Sequence, residues 1–130
     1  MQKYFIPLGS LLAGLAVIAG AFGAHALKTR IEADQLQVYE TGVRFLFMHA
    51  FAIIICGMLL HHFPENRLVK IAGKLFFWGT LFFSGSLFLL STRDLLGISS
   101  WHWLGPITPL GGLLFVSAWV SLALGFIKKQ

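Results

Sequence analysis

Apolar residues dominate four stretches of the chain, each about 20 residues long and nearly free of charge. An α-helix rises 1.5 Å per residue, so about 20 apolar residues cross a hydrocarbon core of ~30 Å. On this ground the expected spans are roughly 5–27, 43–63, 71–91 and 106–127. Arg44 and Lys74 intrude near two of the ends, where a long cation can snorkel to the headgroups. Residues 28–42 are the one markedly polar stretch and are placed outside the hydrocarbon, as an outer loop. The pattern predicts an all-α membrane protein, with four transmembrane helices in an antiparallel bundle forming one integral membrane domain over 1–130.

Within the first span Pro7 falls in the opening turn, where its missing N–H costs little. Ala13, Ala16, Gly20, Gly23 and Ala24 then recur three or four residues apart, along one side that lets a neighbouring backbone come close in lipid. By the same argument a bulky residue at Gly20 is expected to overpack a helix interface. Ala24-His25-Ala26 has the small-x-small form of a signal-peptidase site, and Lys3 gives a weak positive start. The apolar run is longer than the about 7–15 residues of a signal h-region, so a retained span is expected. Asp34-Gln35-Leu36-Gln37 reads as a capping box, with Asp34 as N-cap of a helix starting near Gln35 in the interface. Gly42 reads as a soft point in that helix, and Pro64 as its terminator.

The third span carries Ser84-Gly85-Ser86, whose hydroxyls can bond a local carbonyl or a neighbouring helix. After it come Trp101 and Trp103, as in an interfacial belt. Pro106 and Pro109 are expected in the first turn of the fourth span. There Gly111, Ala118 and Gly125 repeat every seven residues, a second small-residue stripe. The helix-packing candidates are thus Gly20, Gly23, Ala24, Ser84, Gly85, Ser86, Gly111 and Gly112.

Composition agrees with the pattern. Of the residues 57% are hydrophobic and 12% charged, against about 45–50% and 25% in soluble domains. The net charge of +5 does not indicate nucleic acid, because the cations sit singly or in pairs at membrane edges rather than on one basic face. They read as orientation signals and contacts to anionic lipid. Lys3, Arg67, Lys70, Lys74, Lys128 and Lys129 fall on one side; Lys28, Arg30, Arg44 and Arg93 fall on the other, with four of the five acids. That bias puts both termini in the cytoplasm. Cys56 is the only cysteine and is expected to be a small buried hydrophobe.

Four motifs occur in order: GAFGAHALK (20–28), YETGVRFLFMHA (39–50), FSGSLFLLS (83–91) and GPITPLGG (105–112). Together they resemble the YgdD/YwdK-type family of small bacterial inner-membrane proteins, a domain of unknown function with eukaryotic transmembrane relatives. The resemblance covers nearly the whole chain. It implies a multi-pass protein of the bacterial plasma membrane with about four spanning helices, and it implies no reaction. The family's recurring histidines in the first two motifs match His25 and His49.

Those histidines frame the only candidate chemistry. In antiparallel neighbours the end of the first span lies beside the start of the second, so His25, His49 and the loop residue His102 could share one outer layer. Glu40 and Arg44, four apart on a helix, could pair at its rim. Neutral imidazoles are common ligands for zinc, copper or iron. Against this, His25 can satisfy carbonyls at a helix end, His49 can bond across a helix interface, and His102 can lie among the headgroups. His61 and His62 fall at the other face and read as interfacial. No P-loop, GxSxG, HExxH or cysteine pair is present, so no enzyme activity, catalytic residue, resident metal or cofactor is expected. The first expectation is therefore a packing and binding protein for a membrane partner or lipid, with self-association open. An oligomeric transporter or channel with an outward-facing pocket of His25, His49, Glu40, Arg44 and His102 is the alternative. A redox protein holding metal or haem on the three histidines is the third.

Overall fold

A computed structural model describes residues 2–127, so Lys128 and Lys129, two of the cations used to orient the chain, lie outside the described residues. A single 3-10 turn, Gln2–Tyr4, leads into α1, Phe5–Phe22. This helix runs straight on into a wider π turn, Gly23–Leu27, in which Lys28 N–H donates to the Gly23 carbonyl at 3.1 Å. The polar segment that follows gives way to α2, Ala33–His62. After a tight turn through Pro64 comes α3, Arg67–Ser91. A four-residue helix, α4 (Arg93–Leu96), is closed by Gly97 at φ 70°, and α5 spans Leu104–Ile127. The four long helices are each long and apolar enough to cross a membrane, and no strand occurs among the described residues.

Two ends can be distinguished. The termini end carries the start of α1, the α2–α3 turn and the end of α5. The loop end carries residues 28–32 and the α4 region. At 30 residues, α2 is about 45 Å long, so its first turns stand clear of the hydrocarbon at the loop end.

Local structure departs from the sequence pattern in three places. Glu32, not Asp34, occupies the extended N-cap position of α2. The Glu32 carbonyl already closes the first turn by accepting from Leu36 N–H at 2.9 Å, and the Asp34 carboxylate accepts only from its neighbour Gln35 N–H, at 2.9 Å. The expected capping box is therefore not formed. At Gly42 the helix is continuous, and the ring of Phe88 and the β-carbon of Leu87 pack where a side chain would stand. Finally, α5 begins at Leu104, which leaves Pro106 in the first turn but puts Pro109 inside the helix. Only one backbone hydrogen bond is lost there, that to the Gly105 carbonyl.

The helices pack in chain order, α1 along α2, α2 along α3 and α3 along α5. At the termini end Phe5, fully buried, lays its ring over Gly73 of α3 and anchors the start of α1. Near the middle, an added carbon on Gly111 of α5 would meet the backbone of Phe83, so α3 and α5 approach main chain to main chain. The core shared by α2, α3 and α5 holds Ile53, Cys56, Val69, Phe76, Phe115 and Ala118. Hydrophobic burial gives little drive in lipid, and the bundle is instead stitched by single polar bonds. Tyr39 Oη donates to the Ala19 carbonyl at 2.6 Å, and Ser84 Oγ donates to the Gly42 carbonyl at 2.8 Å. Ser121 Oγ donates to the Leu68 carbonyl at 2.8 Å, and Asn66 Nδ2 to that of Gly125 at 2.9 Å. Among the described residues no buried side-chain nitrogen or oxygen lacks a partner.

Candidate functional site

His49 sits on the inner face of α2, 3% exposed, in a box of rings. Its imidazole lies flat on Phe115, with centroids 3.7 Å apart and planes 9° apart, and Phe45, Phe76 and Trp119 close the other sides. Trp119 Nε1 is 3.2 Å from His49 Nε2. An indole nitrogen can only donate, so Nε2 accepts and the ring's proton resides on Nδ1. That proton is donated to the Phe45 carbonyl at 2.9 Å. Both ring nitrogens are thus engaged, and neither can serve a metal or a substrate without breaking a bond to α5 or to the histidine's own helix.

The other members of the expected pocket are elsewhere engaged or exposed. His25 falls in the π turn of α1 and His102 in the loop before α5, and both are exposed. Arg44 Nη2 donates to Thr41 Oγ1 at 3.2 Å and makes no ion pair with Glu40, which is also exposed. Among the described residues no three histidine, cysteine or acidic side chains gather to hold a metal ion. The layer of three imidazoles is not assembled, because His49 is turned toward α5 rather than toward the loop end.

The packing candidates divide in the same way. Gly23 supports the Tyr39 ring, which an added carbon would meet at 2.6 Å, and Gly111 supports the backbone of Phe83. Ser84 bonds across to α2, and Ser86 Oγ donates to the Phe83 carbonyl at 2.9 Å while also bonding Thr108 Oγ1 of α5. An added β-carbon would be in ordinary contact at Gly20, 3.4 Å from a Val43 methyl, and at Gly112 would just reach the Phe83 ring at 4.0 Å. At Gly85 an added β-carbon would meet nothing within 4 Å, and Ala24 is exposed.

A different constellation forms at the loop end. Where the segment before α2 meets the end of α3 and α4, a cleft of about 440 Å³ is lined by Arg30, Glu32, Asp34, Gln35, Arg93 and Asp94. Arg93 Nη1 donates to Gln35 Oε1 at 3.0 Å and to the Leu90 carbonyl at 2.6 Å, which ties α3 to the first turn of α2. Its Nε and Nη2 carry no further bond, and the Arg30 side chain carries none. Asp94 Oδ1 accepts from Ser99 Oγ at 2.7 Å, leaving its second oxygen open. No ion pair joins these carboxylates to these guanidinium groups. The sequence does carry a signal for this cleft: most of the acids fall on one side of the membrane, together with Arg30 and Arg93. Read only as an orientation bias, that clustering does not reveal a concave surface. The fold makes it one by bringing residues 30–35 against residues 91–95.

Comparison with known proteins places the chain among uncharacterised membrane proteins. A family model described as "Protein of unknown function (DUF423)" matches residues 19–112. The UPF0382 membrane protein YwdK of Bacillus subtilis is 40% identical over 127 residues, which is 98% of each chain. A UPF0382 membrane protein of Staphylococcus saprophyticus is 37% identical over 98% of this chain and 99% of its own. One from Staphylococcus haemolyticus is 38% identical over 98% of each. No solved structure matches.

Proposed function

The chain belongs to the DUF423 family and is a multi-pass membrane protein, and from that premise we propose that it is a non-catalytic binding protein of the membrane. Its ligand is a lipid or a neighbouring membrane protein, engaged through the polar cleft at the loop end. One contrast supports this reading. Inside the spans every buried polar side chain is already bonded within the protein, whereas the cleft presents charges of both signs that bond nothing of opposite charge. In the bacterial inner membrane, with both termini in the cytoplasm, the cleft faces outward, as the balance of cations favours.

An oligomeric transporter using His25, His49, Glu40, Arg44 and His102 draws less support. The histidine nearest the bilayer centre is walled in by rings, with both nitrogens occupied. The binding reading is tested by purifying the protein from native membrane and identifying what accompanies it by mass spectrometry. A lipid or protein enriched with the wild type and lost with Arg93→Gln is the expected result. Enrichment that survives changes in the cleft but fails with His49→Phe overturns the reading in favour of a pocket inside the bundle.

A further inference from the structure

We propose that the loop-end cleft is a site for a zwitterionic ligand carrying a phosphate and a primary ammonium, the head group of an aminophospholipid. This rests on the cleft being the recognition surface. The argument is one of charge and hydrogen-bonding capacity. Two guanidinium groups, Arg30 and Arg93, share the cleft with three carboxylates, Glu32, Asp34 and Asp94. A simple anion meets the carboxylates there, and a simple cation meets the guanidinium groups. A divalent metal lacks the clustered ligands it needs among the described residues. A zwitterion satisfies both sets at once. Arg93 is fixed by one terminal nitrogen and keeps Nε and Nη2 for the two-point contact that suits phosphate. Asp34 and Asp94 each have one carboxylate oxygen bonded within the chain and one open to a primary ammonium.

Position selects the lipid over a free solute. The cleft lies where α2 begins and α3 ends, at the end of the bundle that also carries the exposed Trp101 and Trp103, and such tryptophans mark the headgroup layer. Its volume of about 440 Å³ falls within the ~300–1,000 Å³ of small-molecule sites. A trimethylated ammonium has no N–H to donate to the carboxylates. The loss of one charge-assisted hydrogen bond weakens binding by about tenfold or more.

The test uses purified, delipidated full-length protein and native mass spectrometry with vesicles of equal phosphatidylethanolamine and phosphatidylcholine. At least about tenfold preferential retention of the ethanolamine lipid is expected, falling toward parity in Asp34→Asn and Asp94→Asn, which weaken the ammonium contact. Arg30→Gln instead lowers the retention of both lipids, because both carry the phosphate. The Arg30 side chain makes no hydrogen bond or ion pair, so that variant is not expected to disturb folding, and Arg93→Gln is expected to lower total retention further. Soluble phosphoethanolamine, phosphocholine and inorganic phosphate are titrated in parallel by thermal shift. Stabilisation by the lipid alone supports the membrane source, and equal stabilisation by free phosphoethanolamine supports the same chemistry from solution. Equal retention of the two lipids by the wild type overturns the proposal, as does a preference unchanged in both aspartate variants or a total retention unchanged in both arginine variants. A co-purifying protein that depends on Arg93, with no lipid preference, overturns the head group and leaves the wider binding reading standing.

Discussion

At Gly111 one added carbon would collide with the main chain of Phe83, while at Gly85 it would meet nothing within 4 Å. Gly111→Ala is therefore expected to lower the melting temperature in detergent. Gly85→Ala should leave it unchanged or raise it, since alanine favours a helix by roughly 0.5–1 kcal/mol over glycine. A comparable fall in both would show that α3 and α5 are not at closest approach at Gly111. At Gly20 an added β-carbon would meet only a Val43 methyl, at 3.4 Å, so Gly20→Ala is expected to cost little, and any overpacking by Gly20→Leu comes from the atoms beyond Cβ. Residue spacing shows which glycines share a helix face, but not where along the face the partner comes close. For the same reason His49 was legible as a buried polar residue, whereas its bond to Trp119, 70 positions away, was not. His49→Ala opens a cavity between α2 and α5 and is expected to cost roughly 2–5 kcal/mol, by analogy with large-to-small core changes. His61→Ala, at an exposed site, should leave stability nearly unchanged. Thermal unfolding of the two variants side by side decides the matter.

Among the elements, α3 is held at its start by one side chain with two tasks. Asn66 Oδ1 accepts from Val69 N–H at 3.3 Å and so caps α3, while its Nδ2 donates to the Gly125 carbonyl of α5. Asn66→Ala removes both, and the cap alone is worth ~1 kcal/mol. Asn66→Asp keeps the cap and loses the donor to α5, so its stability is expected to fall between the wild type and Asn66→Ala. If Asn66→Asp is as unstable as Asn66→Ala, the link to α5 dominates. The hydrophobic runs made the existence of all four long helices legible, because hydrocarbon dictates their length and composition. Their polar ends were not legible from the same rule. Residues 33–42 lie outside the apolar run yet are helical, since a helix projecting from the bilayer satisfies its backbone internally and needs no apolar side chains. The start expected near Gln35 falls two residues inside the observed start at Ala33. Nor did the sequence show the π turn at Gly23–Leu27. It lies where Gly23 lets the Tyr39 ring settle and the Ala19 carbonyl accepts from both Gly23 N–H and Tyr39 Oη. Tyr39→Phe should loosen that turn, read as faster amide exchange at Gly23 and Lys28.

For the molecule as a whole, four crossings place the start of α1 and the end of α5 together, with the cleft at the opposite end. This geometry has a direct experimental consequence, because the chain has a single cysteine and Cys56 is fully buried. A new cysteine at an exposed position becomes the only site open to a membrane-impermeant thiol reagent. Lys3→Cys and Glu65→Cys should share one accessibility, and Arg30→Cys and Ser99→Cys the other. In intact bacterial cells only the second pair is expected to react if the termini are cytoplasmic, while in inverted vesicles only the first pair should. Labelling of Lys3→Cys and Arg30→Cys from the same side would break the four-crossing arrangement itself. Labelling with the two sides exchanged would keep the fold but turn the cleft inward. In that case Arg30, Arg93 and their acidic neighbours would meet the head groups of the cytoplasmic leaflet, and the vesicle experiment would retain its meaning with the leaflet reversed.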